Sequence, residues 1–218
     1  MKFPSWTHIA LAALLTTGST AMIAASSAED EKPKSDNAAK KTDQANKKEE
    51  KKAEETVDVK ISELDLKLPK SWKQSDATRP MRLATFEVPA AEGDKENSEF
   101  VVSSFAGGGG GVDANISRWV GQFAPEGRKA VVVQGKAGEN DYFIANVSGT
   151  YMKSAGGPVG GKTTPTPGQR VINVFLNLEG NAVYFLKLTG PDAAVAAQLD
   201  AVRASFGGKL DSEKEYEF

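Results

Sequence analysis

Two stretches of this chain hold residues at spacings that chemistry can use, and both are rich in glycine. The first is a run of five, Gly107 to Gly111, between the apolar FVVSSF (100–105) and the amphipathic VDANISRWVGQF (112–123). A strand that passes through glycines into a helix start presents unpaired N–H groups to a ligand that can come close to the backbone. Gly109, Gly110 and Gly111, with Asn115 and Arg118, are therefore a candidate cradle for a carboxylate, sulfate or phosphate. Asp113 puts a negative charge where that anion would sit, which favours the plainer alternative of a structural hinge. Asn115, Arg118 and Gln122 occupy a polar side of the helix that a partner can meet.

The second stretch matches GxxxxGK[ST] through Gly156, Gly161, Lys162 and Thr163. That pattern binds phosphates when a helix begins at its lysine. Here Thr163 is followed by Thr164, Pro165, Thr166 and Pro167, and prolines at those places remove donors and prevent the helix. Nucleotide binding is rejected on that ground. The carboxylate pairs Glu92 with Asp94 and Glu139 with Asp141 fall in loops and read as solvated. Ser71 and Lys73 have no supporting nucleophile arrangement. The N-x-[ST] sequons at Asn115 and Asn146 lie inside expected elements.

Composition narrows the chemistry further. The 218 residues contain no cysteine and a single histidine, His8. Thiol nucleophiles, disulfides and cysteine–zinc sites are excluded. With 27 basic and 29 acidic residues and a net charge of -2, no general attraction to nucleic acid is expected. No cofactor or metal is expected, and no enzyme activity.

The elements that must position these residues begin late in the chain. Residues 1–28 read as a signal peptide, with Lys2, the apolar IALAALL and small residues up to Ala28, where cleavage is expected; Ala25 is the alternative. His8 leaves with it, no stable membrane span remains, and the protein is expected to be exported, periplasmic or extracellular. Residues 29–56 are rich in lysine and glutamate and are expected to be a disordered linker. A single domain is expected over 57–208, followed by a charged, frayed tail over 209–218.

Within the domain, Leu64, Leu66 and Leu68 alternate with polar residues as a half-buried strand does. Further strands are expected at 81–88, 100–105, 130–134, 142–148, 172–178 and 183–188, the last two forming a hairpin that turns at 179–181. Residues 154–169 are expected to be a long loop. Ile116, Trp119, Val120 and Phe123 make one helical stripe; Val195, Leu199, Val202 and Phe206 make another, opened by Pro191 and Asp192. The resulting fold class is α+β: an antiparallel sheet of about six or seven strands with helices packed on it.

The segments LKLPKSW, FVVSSFAGGGGGVDANISRWVGQF, VSGTY and VYFLKLTGPDAAV resemble a group of exported bacterial proteins of unknown function, similar in turn to the PsbP and Ran-binding Mog fold. The resemblance covers Leu64 to about Phe206. It implies an α/β/α sandwich and a non-catalytic binding or assembly module for a protein or cell-envelope partner. The alternative is a small-ligand or anion binder built on the glycine loop. No functional motif of PsbP or of Mog transfers residue by residue.

Overall fold

A computed structural model describes residues 54–218 apart from 78, 92, 95, 156–161 and 180–181. The expected signal peptide, nearly all of the expected linker, Glu92, and Gly156 and Gly161 of the phosphate-loop match lie outside the described residues, as does most of the 179–181 turn.

The domain opens with a hairpin of β1 (Thr56–Ile61) and β2 (Leu64–Pro69), a sheet of its own. The leucines of β2 point inward and Asp65 and Lys67 outward, as their alternation requires. The main sheet holds eight strands: β3 (Lys73–Gln74), β4 (Ala84–Val88), β5 (Ser98–Ser104), β6 (Lys129–Ala137), β7 (Asn140–Ala155), β8 (Lys162–Leu178), β9 (Ala182–Pro191) and β10 (Lys214–Glu215). Their order is β10-β6-β7-β8-β9-β5-β4-β3, and every pairing is antiparallel.

The sheet therefore exceeds the six or seven strands expected. The short edge strands β3 and β10 carry no apolar alternation that a sequence could display. The strand expected from Met81 starts at Ala84, because Met81 takes a left-handed φ of 66° in a turn and is 69% exposed.

Residues 154–169 are not one long loop: β7 runs to Ala155 and β8 starts at Lys162. Pro165 pairs with Met152, and since proline has no N–H, its nitrogen must face the outer edge of β8. That edge is open there, because β9 ends at Pro191 opposite Gln169. Beyond this point β7 and β8 continue as a pair, flanked at Thr150–Met152 by hydrogen bonds to Gln122–Ala124, and past Met152 they project as a two-stranded arm.

Two cores lie on the two faces of the sheet. One joins Phe86, Phe100, Tyr142, Ile144 and Leu186 to the β1–β2 leucines and to Val195, Val202 and Phe206. Trp72 closes it, 4.8 Å from the Phe100 ring. The other packs Ile116, Trp119 and Phe123 on Phe175 and Phe185.

The helices are shorter than their stripes suggest. The first, α1 (Val112–Val120), ends at Gly121, and Phe123 reaches the core from the following turn. The last stripe is divided between α2 (Asp192–Ala196) and α3 (Leu199–Ser205), with Ala197 and Gln198 turning between them.

The charged tail is not frayed. After a 3-10 turn at Leu210–Ser212, β10 pairs with β6, and Tyr216 packs 4.9 Å from the Phe143 ring. The reason is an ion pair: Glu213 accepts two hydrogen bonds from Arg203, at 2.6 and 3.0 Å, and both side chains are buried.

Candidate functional site

The glycine run is ordered by its own backbone demands. Gly107, Gly109 and Gly110 have φ of 79°, 62° and 94°, values that other residues rarely adopt. Ala106–Gly109 form a 3-10 turn, and Gly111, in extended conformation, precedes α1. A Cβ on Gly109 would stand 2.9 Å from the Phe185 ring.

Asn115 holds the turn from inside. Its Nδ2 donates to the carbonyls of Gly109, Gly110 and Gly111 at 3.2, 3.3 and 2.8 Å, and its Oδ1 accepts from the Arg118 guanidinium. The residue is fully buried. Carbonyl oxygens rather than N–H groups converge on this inner side, and the amide occupies them. Asp113 does not cap the helix with its side chain; it lies in the first turn and accepts the Tyr216 hydroxyl at 2.6 Å. That hydrogen bond, then burial, raises the Tyr216 phenol above its ordinary pKa.

The expected polar face is thus divided. Asn115 points in, Arg118 is exposed, and Gln122 lies beyond the end of α1. The backbone carbonyl of Gln122 accepts the Met152 N–H at 2.8 Å, while its side-chain Oε1 is buried without a hydrogen-bond partner. Amphipathic spacing does not separate these cases, because a short amide can turn inward wherever carbonyls need a donor.

The other singled-out residues do not gather. Lys162 and Thr163 sit on strand β8, not at a helix start. Asp141 pairs with Lys136 at 2.8 Å on the surface, which raises the lysine above its ordinary pKa through that hydrogen bond first. Asn146 accepts from Arg170 at 2.8 Å within β7, and Arg170 also reaches Asp192 at 2.6 Å.

Two polar groupings were not anticipated. One is the clasp of Arg203, Glu213 and Tyr142, whose hydroxyl lies 3.0 Å from Glu213 and 3.2 Å from the Lys209 carbonyl. Burial would lower the Arg203 pKa, but Glu213 and Asp200 more than offset this, so the net direction is upward. Nothing in the charged tail distinguished Glu213 from its solvated neighbours.

The second grouping lies on the α1 side of the sheet. Lys187 of β9 donates to the Tyr151 hydroxyl at 3.0 Å and stands opposite Asn173 of β8. Its ammonium is 5.3 Å from the ring centroid, so the hydroxyl is the nearer contact. Asn173 is 2% exposed, and its Nδ2 has no hydrogen-bond partner. One signal existed: Asn173 interrupts the otherwise apolar VINVFL (171–176).

No family model matches the chain, and no curated protein matches it. Among solved structures it is similar to a protein of unknown function from Pseudomonas aeruginosa, with 19% identity, a TM-score of 0.36, and coverage of 68% of this chain and 91% of that one. It is also similar to the cyanobacterial PsbP of Synechocystis, with 10% identity, a TM-score of 0.43, and coverage of 75% and 94%. PsbP, one of the folds the sequence resembles, is thus among the structural neighbours.

Proposed function

We propose that this domain is an exported, non-catalytic binding or assembly module, separated from its signal peptide by the charged linker, that recognises a protein or cell-envelope partner. The observation that carries this reading is the arm formed by the ends of β7 and β8. Two strands alone are marginally stable in water, and this pair extends past β9 with Lys153, Lys162, Thr163 and Thr164 exposed. The core does not require such an extension, whereas a partner can read its side chains. Pro165 and Pro167 leave the outer edge poor in donors, so recognition proceeds through side chains rather than by adding a strand.

The test is retention of envelope components by the tagged domain, intact and with 153–164 replaced by Asn-Gly. The intact domain retains a specific partner and the shortened, folded one loses it. Equal retention by both, or none by the intact domain, overturns the reading.

A second reading is a small-ligand or anion site at Gly109, Gly110 and Gly111 with Asn115, Arg118 and Gln122. In its favour, Arg118 is exposed beside the loop, and a Cβ at Gly111 would meet open space. Thermal shifts with sulfate and phosphate, lost in Arg118→Ala, support it; shifts unchanged in that variant sink it.

A further inference from the structure

We propose that Lys187 and Asn173, side by side on the α1 side of the sheet, form a binding site for a carboxylate group. The site lies apart from the glycine loop and borders the base of the arm through Tyr151. Lys187 and Asn173 are register partners on adjacent antiparallel strands, so their side chains rise from the same face as neighbours. Both offer donors. Lys187 is half-buried, and its ammonium donates to the Tyr151 hydroxyl rather than to a carboxylate.

Glu99 is the carboxylate placed to neutralise Lys187. It sits opposite Thr189, two residues along β9, on the same face. Yet Glu99 is engaged by Arg82 at 2.9 Å, and no ion pair joins it to Lys187 among the described residues. A buried amide donor without an acceptor is costly, and the Lys187 ammonium beside it has no paired anion among the described residues.

A single acceptor group resolves both. A carboxylate is flat, carries one negative charge and has two oxygens, one for Lys187 Nζ and one for Asn173 Nδ2. The Tyr151 hydroxyl, which already accepts a hydrogen bond from Lys187, keeps its own O–H to donate to the same group. Val101, the register partner of Lys187 on β5, gives the site an apolar side against which the body of a small carboxylic acid or a peptide C-terminus can rest. The shared chemistry of those two sources is the terminal carboxylate.

The experiment titrates the isotopically labelled full chain with acetate, with a short peptide ending in a free carboxylate, with the same peptide amidated, and with inorganic phosphate. The readout is the Asn173 side-chain amide resonance. A saturable shift is expected with acetate or the free-carboxylate peptide, and none with the amidated peptide. Lys187→Gln weakens the response by about tenfold or more, and Lys187→Arg, which keeps the charge, retains binding. Lys187 is half-exposed, and the dispersion of the backbone spectrum verifies that each variant is folded. No saturable shift in the unmodified chain, an undiminished response in folded Lys187→Gln, or a response to phosphate without one to either carboxylate overturns the proposal. A response to acetate alone identifies a small acid as the source, and one to the peptide identifies a C-terminus.

Discussion

Gly135 has no room for a side chain. A Cβ there would lie 2.5 Å from the ring and hydroxyl of Tyr142, its cross-strand partner. Gly135→Ala is expected to destabilise the domain by about 1–3 kcal/mol, measured as a lower urea midpoint. Tyr142 also sets a pH limit. Burial, with Glu213 adding and Ser212 opposing, pushes its phenol above the ordinary value of about 10. A raised folded pKa favours the protonated, folded form, so this contribution is complete below about pH 10 and is lost as pH rises through the higher folded value. Urea midpoints that fall above about pH 10 in the unmodified chain, and fall less in Tyr142→Phe, are the expected result. Neither role of Tyr142 was visible in the sequence, where it read as one more strand aromatic. Asn115 was visible as a residue of interest, but its direction was not: helical spacing fixes an angle, and the carbonyls that drew the amide inward belong to a glycine turn whose conformation no periodicity records.

At the scale of elements, the end of the described chain fastens the sheet. Glu213→Ala leaves the Arg203 guanidinium, with a side chain 8% exposed, without its buried partner. The expected loss is about 3–5 kcal/mol in chemical denaturation, with faster amide exchange in β6 and β10. Asp200→Ala is the comparison, since its carboxylate is 91% exposed and its pair with Arg203 is solvent-screened; the expected change is under about 1 kcal/mol. Long apolar alternations were legible: β2, β5, the β7–β9 strands and the α1 stripe all appear where their patterns lie. Short edges and breaks were not. The Lys-Glu pair of β10 and the Lys-Gln pair of β3 are strands through their neighbours' hydrogen bonds, and the division between α2 and α3 preserves the stripe that suggested one helix.

For the whole molecule, the arm poses an association hazard that its sequence counters. An open strand edge invites pairing with another copy, and alternate prolines withhold the donors such pairing needs. Pro165→Thr combined with Pro167→Thr is expected to produce concentration-dependent oligomers in light scattering, where the unmodified chain shows none; a variant that scatters like the parent would contradict this. The prolines looked like loop residues in the sequence because a proline in a strand is recognisable only once its neighbour is known to be missing. The strand order also has a temporal side. β6 to β9 are neighbours both in sequence and in the sheet, so they can pair through short closures, whereas β5 pairs with β9 across more than half of the domain's sequence. Local pairings close with less loss of chain entropy than distant ones. The β6–β9 meander is therefore expected to assemble first and to serve as the surface on which β5 and β4 condense. Ile144→Val should then mainly slow folding and Val102→Ala mainly hasten unfolding, a division that stopped-flow chevrons would reveal or refute.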